Sequence, residues 1–287
     1  MLKKRIIANV IVKNGIVVQS NQFKSYLPVG KIDVTLEFLD KWGIDEIILL
    51  DISATANNSS NVLNKLQQVV KNCFVPLTYG GGLKNLRMVH NAFYQGADKV
   101  SFNDAFFNNR ELISKVSKEF GRQSFVLSID FVEINEKAFV YNYIKSKTTK
   151  ITLQEAITNA ENLGVGEVLI NCVNRDGMYN GFAINTIKSL QKSSLPIIIA
   201  GGAREPSHFQ ECLKLDKISA MAAGNMFHFV EHSVTKLKRM LKSKLIRKNL
   251  EFNYNDHLIN SDQRIEKLSD EKLNSFLYQK LLDKDIC

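Results

Sequence analysis

Eight short apolar runs recur along the chain: Arg5–Val12, Glu46–Ile52, Val75–Tyr79, Lys99–Phe102, Ser124–Asp130, Glu167–Cys172, Leu195–Ala200 and Ser219–Ala222. Most are dense in Ile, Val and Leu without polar alternation, as expected of strands covered on both faces. Between them lie amphipathic stretches of helical length: Val34–Trp42, Asn61–Asn72, Leu86–Tyr94, Asn109–Phe120, Leu153–Leu163, Ile184–Gln191, Pro206–Leu213 and Val230–Leu241. Eight strand–helix units over about 240 residues predict an α/β chain folded as a (β/α)8, or TIM, barrel. An open doubly wound sheet would want fewer strands and a GxGxxG turn after the first one, and no such turn is present.

The pattern also repeats. Gly43–Ser53 resembles Gly164–Asn174, and Val75–Gly82 resembles Leu195–Gly202, both at an offset of 121 residues. Ser101–Phe107 answers Ala223–Phe229, with Asn103 and Asn225 122 apart. A near-constant offset over three blocks implies two half-barrels of four units each, so ligand sites are expected in pairs.

In such barrels chemistry sits at the C-terminal ends of the strands. Gly80, Gly81 and Gly82 follow the third run, and Gly201 and Gly202 follow the seventh. Asn103 follows the fourth, and Gly224 and Asn225 follow the eighth. Glycine lets backbone N–H groups approach an anion closely, so two such turns suit a substrate with a phosphate at each end. They could equally be tight turns and nothing more. Asp130, ending the fifth run, is the candidate acid or base, with Asp51 and Asp176 also at strand ends. The half-barrel partner of Asp130, 119 residues earlier, is Ile11. A pair of carboxylates on the first and fifth strands is therefore not available. At the other end, Arg5, Glu46, Lys99 and Glu167 open four strands with two charges of each sign. They would ring the N-terminal mouth, as a stabilising cluster or as a switchable plug.

Composition narrows the classes. With 45% hydrophobic residues the chain is not disordered, and no apolar run is long enough to span a bilayer. Ile6–Val12 lacks a cleavage site and reads as a strand, not a signal peptide. Cys73, Cys172, Cys212 and Cys287 form no CxxC pair, which predicts a reduced, cytoplasmic setting. The histidines make no ligand cluster: His228 and His232 are four apart but lack further partners, so neither metal nor cofactor is expected. The net charge of +9 comes largely from one acid-free stretch holding Lys236, Lys238, Arg239, Lys242, Lys244, Arg247 and Lys248. That locality argues against nucleic acid as a partner. Residues 246–287, with apolar spacing at Ile265, Leu268, Leu273, Phe276, Leu277, Leu281 and Leu282, predict a helical extension after a barrel over 1–245.

Taken together, the segments MLKKRIIANVIVKNGIVV, GIDEIILLDIS, YGGGLKN, GADKVSFNDA, NRDGMYNGF and AGGA followed by FHF resemble the cyclase subunit of imidazole glycerol phosphate synthase, over about residues 1–245. The resemblance implies a (β/α)8 barrel with a glutaminase docked on its N-terminal face. Ammonia from that partner would travel through the barrel and react at the C-terminal face with a bisphosphorylated ribulosyl aminoimidazole intermediate. It assigns the channel gate to Arg5, Glu46, Lys99 and Glu167, and a partner-facing position to Asp98. Phosphate-binding elements fall on Gly82, Asn103, Asp176, Gly177, Gly202 and Gly224, and the second catalytic aspartate on Asp130.

The match is incomplete. The first catalytic aspartate falls on Ile11, the lysine that closes over substrate falls on Gln19, and a small hydroxyl residue is replaced by Asp104. The chain thus resembles divergent second copies of the cyclase that accompany surface-polysaccharide genes. Those imply ammonia supply to an amidotransferase that makes an acetamidino group on an N-acetylated sugar. Two other readings stay open: an active histidine-pathway cyclase using Asp130 with Asp51 or Asp176, and a barrel that only activates its glutaminase.

Overall fold

A computed structural model of the protein describes residues 3–247, apart from 56, 58–60, 192 and 242, together with 260, 264, 269 and 271. The strands are β1 (Arg5–Lys13), β2 (Ile16–Asn21), β3 (Ser25–Gly30), β4 (Glu46–Asp51), β5 (Leu77–Gly80), β6 (Lys99–Phe102), β7 (Phe125–Ile134), β8 (Lys137–Asn142), β9 (Lys147–Thr152), β10 (Glu167–Cys172), β11 (Ile197–Ala200) and β12 (Ile218–Ala223). Eight of them pair in parallel in the order β1, β4, β5, β6, β7, β10, β11 and β12, and β12 returns to β1 with Arg5 opposite Ala220. This closed ring is the predicted (β/α)8 barrel.

Helices α1 (Ile32–Lys41), α2 (Leu66–Val69), α3 (Leu86–Tyr94), α4 (Asp104–Asn108), α5 (Arg110–Phe120), α6 (Leu153–Asn162), α7 (Ile184–Ser189), α8 (Pro206–Leu213) and α9 (Ser233–Leu241) surround it. Local chemistry sets their starts. Asn85 and Asn109 accept the backbone N–H groups of Met88 and Leu112, Thr152 and Glu155 form a capping box, and Pro206 opens α8. The helix expected over Asn61–Asn72 is instead a 3-10 turn, Leu63–Lys65, followed by the single turn α2. Neither end has a side-chain cap, and the β-branched pair Val69–Val70 favours no continuation.

Two antiparallel hairpins that the apolar runs do not predict, β2–β3 and β8–β9, rise from the C-terminal ends of β1 and β7. Each leaves its barrel strand by a two-residue turn. Asn14 and Gly15 have φ of 52° and 80°, and Asn135 and Glu136 have 47° and 62°, the left-handed pair that matches strand twist in a hairpin. Ile16 and Lys137 begin the two returning strands at the same 121-residue offset, so the hairpins belong to the half-barrel repeat.

Strand side chains facing outward pack against the helices. Those facing inward form a second, narrow core of Ile7, Ile48, Val126, Leu169, Ile198, Ala200, Ala220 and Ala222, with Leu50 against it. Lys4 is buried beside the bottom of β1. Its Nζ donates to the carbonyl oxygens of Cys212, Leu213 and Leu215 at 3.0, 3.0 and 2.6 Å, pinning the chain at the end of α8. Ile246 bridges to Lys4 and is buried. The chain divides into two units, Met1–Glu251 and Phe252–Cys287. The helical extension expected over 246–287 lies almost wholly outside the described residues.

Candidate active site at the two barrel mouths

The C-terminal mouth is a cavity of about 540 Å³ floored by the barrel and walled by both hairpins. Gly80 ends β5, Gly81 and Gly82 follow it into the cavity wall, and Asn103 lies between β6 and α4. Lys13, Tyr26, Tyr141 and Tyr143 reach it from the hairpins and their edges. Lys13 Nζ sits 3.8 Å from the centroid of the Tyr26 ring, and Phe23 meets Tyr141 edge to face at 6.4 Å. No apolar run announces these hairpin residues; only the Asn14-Gly15 pair signals the turn that brings them in.

Asp130 stands near the end of the barrel portion of β7 and is buried. Burial pushes its carboxyl up to about 7, aided by Asp176 and opposed by hydrogen bonds from Asn103 and Asn171. Asn103 Nδ2 donates to Asp130 Oδ2 at 2.9 Å and to the Ser128 carbonyl at 3.1 Å. A carboxyl that titrates near neutrality suits proton transfer. Because β1 and β7 are four strands apart in a ring of eight, the residue facing Asp130 across the mouth is on β1. That residue is Ile11, which lines the cavity. Asp51 also lines the cavity; its Oδ1 accepts from Ser53 Oγ at 2.7 Å and from the backbone N–H groups of Ser53 and Ala54, which ties it to the turn after β4.

The raised Asp130 value has a thermodynamic consequence. The folded state binds this proton more tightly than the unfolded chain, so its contribution to stability is greatest at low pH. It is lost as pH rises from the unfolded value near 3.8 through about 7. Asp130→Asn keeps an acceptor for Asn103 and removes the buried charge. It is expected to stabilise the protein at pH 8, by on the order of 4 kcal/mol at most, and to be nearly neutral at pH 4. Thermal melts across that range test it; equal effects at both pH values would contradict the burial argument.

The second set of glycines, Gly201 and Gly202 after β11 and Gly224 after β12, gathers with Asp176, Gly177 and Asn225 in a separate lobe of about 30 Å³. Asn9 and Ile11 line both lobes. Burial pushes Asp176 up to about 6, opposed by hydrogen bonds from Ser20 and from the backbone of Phe23 and Gln22. Hairpin β2–β3 lies over this lobe. Ser20 Oγ donates to Asp176 Oδ2 at 2.6 Å, and Gln19 Nε2 donates to the Asn225 carbonyl at 3.0 Å. Gly177 has φ 72°, and a Cβ there would meet the Ser20 carbonyl at 2.5 Å. Any side chain would push the hairpin off. Gln19, the position where the resemblance implies a lysine, thus serves as a hairpin tie.

At the N-terminal mouth Arg5, Glu46, Lys99 and Glu167 form a closed ring of alternating charge. Arg5 Nη1 bonds Glu46 at 2.5 Å and Arg5 Nη2 bonds Glu167. Lys99 Nζ reaches Glu46 at 3.1 Å and Glu167 at 3.3 Å. Thr78 and Ser219 hydroxyls donate to Glu46 and Glu167. Burial pulls the Arg5 guanidinium down, but its bonds to the two carboxylates outweigh this and hold it above its ordinary value. Asp98 lies beside the ring with its residue exposed; one carboxylate oxygen accepts from the Leu77 backbone at 2.8 Å, pinning the start of β5. Among the described residues, no three His, Cys, Asp or Glu are grouped to hold a metal, and no helix is long and apolar enough to cross a membrane.

Fold and site together define a class of (β/α)8 barrel built from two halves, with a charged ring at one mouth and an acid in a hairpin-walled cavity at the other. The chain belongs to the HisF family of that class: residues 5–233 match the family described as Histidine biosynthesis protein. It is 34% identical over 252 residues to the imidazole glycerol phosphate synthase subunit HisF of Thermotoga sp. (strain RQ2), covering 88% of this chain and 99% of that one. Against the HisF subunit of Prosthecochloris aestuarii (strain DSM 271 / SK 413) the figures are 33% over 245 residues, 85% and 98%. A Vibrio vulnificus (strain YJ016) protein provisionally designated imidazole glycerol phosphate synthase subunit hisF2 is 32% identical over 244 residues, covering 85% of this chain and 90% of its own.

Proposed function

We propose that this barrel is the ammonia-receiving subunit of a glutamine-dependent complex whose own cyclisation chemistry is suppressed. The observation that carries the reading is Ile11 opposite Asp130. One carboxyl near neutrality moves one proton, and an isoleucine moves none. A glutaminase docks on the N-terminal face beside Asp98. Ammonia passes the ring of Arg5, Glu46, Lys99 and Glu167 and the narrow inner core, and emerges beneath Asn9 and Ser128 at the mouth. The acceptor then belongs to an amidotransferase forming an acetamidino sugar for surface polysaccharide, in the cytoplasm. Family membership supports the other reading, an active cyclase subunit of histidine biosynthesis that uses Asp130 and binds a phosphorylated ligand at the glycine turns.

The test supplies the purified barrel with ample ammonia and the bisphosphorylated ribulosyl aminoimidazole intermediate. Formation of imidazole glycerol phosphate is expected to be about 10²–10⁴-fold slower than with the Thermotoga relative, the usual worth of one positioned acid or base. Turnover within tenfold of that relative overturns the proposal and establishes the histidine-pathway reading.

A further inference from the structure

The half-barrel repeat predicts two equal anion cradles, yet the second, at Gly201, Gly202, Gly224 and Asn225, leaves only about 30 Å³ beneath hairpin β2–β3. The cause is a specific tie. Asn225 Nδ2 donates to the Ser20 carbonyl at 2.7 Å, and the Ser20 backbone N–H donates to Asn225 Oδ1 at 3.2 Å. This reciprocal pair treats the Asn225 amide as another strand residue beside β2. Ser20 Oγ bonds Asp176, the Gln22 N–H bonds the Asp176 carbonyl at 2.9 Å, and Gln22 Nε2 bonds the Asn174 carbonyl at 3.2 Å. Ser20 is itself only 3% exposed. Every polar atom of the Asn225 side chain is therefore spent on the hairpin, and the Asp176 carboxylate accepts from it.

We infer that Ser20 and Asn225 are specificity-determining residues: they seat hairpin β2–β3 across the second-half cradle, so the ligand of the mouth carries no phosphate at the second-half end. This deepens the proposed function, on which it rests, by naming the class of acceptor: a compound with at most one phosphate group.

Ribose 5-phosphate and ribulose 1,5-bisphosphate serve as probes, titrated against the full chain and against Asn225→Ser and Asn225→Ala. The readout is the ratio of the two affinities. For the unaltered protein the bisphosphate is expected to bind within threefold of the monophosphate, or neither measurably. In both variants the bisphosphate gains at least tenfold over the monophosphate, and amide exchange at residues 20–24 accelerates as the hairpin lifts. Melting curves confirm that the variants fold, and the second substitution stands in if the first does not. A tenfold preference for the bisphosphate in the unaltered chain overturns the inference, as does a ratio that the variants leave unchanged or a failure of both probes with all three proteins. These are binding measurements, so they separate from the proposed function. Tight bisphosphate binding without turnover would sink this inference and spare that reading, whereas rapid turnover would sink the reading itself.

Discussion

Replacing Ile11 with aspartate is expected to raise cyclase turnover on the bisphosphorylated aminoimidazole substrate by about 10²-fold or more, the lower end of what one acid or base contributes. Position 11 is half-buried on β1, between Val18 of β2 and Leu50 of β4, and faces the cavity across from Asp130. A carboxyl placed there loses part of its hydration, so its pKa rises toward the range useful at neutral pH, as burial already does for Asp130. Ile11→Asn is the control. It matches the aspartate in size and polarity but transfers no proton, and its turnover is expected to stay at the level of the unaltered chain. Equal rates for the two variants would show that a missing proton carrier at β1 is not what limits the reaction. The hairpin tie adds a second barrier, so the gain in Ile11→Asp is expected to grow when Asn225→Ser is combined with it.

The second large effect concerns the charged ring. Glu46 accepts from Arg5, Lys99 and Thr78 while almost wholly buried. Glu46→Leu strands two cations against the remaining Glu167. Breaking a buried ion pair from one side costs about 3–5 kcal/mol. Lys99 is 22% exposed and recovers some hydration, so about 3 kcal/mol is expected here. The combined variant Arg5→Met, Glu46→Leu, Lys99→Met, Glu167→Leu removes every charge at once. It is expected to regain most of the loss, because apolar packing replaces buried ion networks at little cost. Chemical denaturation of both variants decides the point. A combined variant as unstable as Glu46→Leu would mean the ring is a structural staple that apolar side chains cannot replace. Recovered stability leaves the ring without a stabilising reason to be charged, and assigns its charges to what enters the barrel.

Much of this architecture is local and therefore legible. Ile-, Leu- and Val-rich runs such as Ile47–Leu49 and Val168–Ile170 are buried on both faces, which produces unalternated sequence. Asn85, Asn109, Thr152 with Glu155, and Pro206 mark helix starts within a few residues of themselves. The hairpins were harder. β3 and β9 bury none of their residues fully, so Ser25–Gly30 and Lys147–Thr152 carry no apolar period to detect. The helix expected at Asn61–Asn72 failed for the opposite reason, an amphipathic pattern without caps to hold its ends.

What the chain alone determined is the eight-unit barrel, its division into halves, the charged residues at four strand starts, and the substitution of Ile11 for an acid opposite Asp130. Each follows from residue type at a strand position, and strand positions are set by short-range pattern. Only the tertiary structure decided that Arg5, Glu46, Lys99 and Glu167 close into a ring of alternating sign, since residues up to 162 apart must converge on one axis. The same holds for the hairpin's seat over the second-half glycines. It depends on Ser20 meeting Asn225 across 205 residues, a contact fixed by the direction in which a twisted hairpin folds over the rim and by no feature of either segment alone.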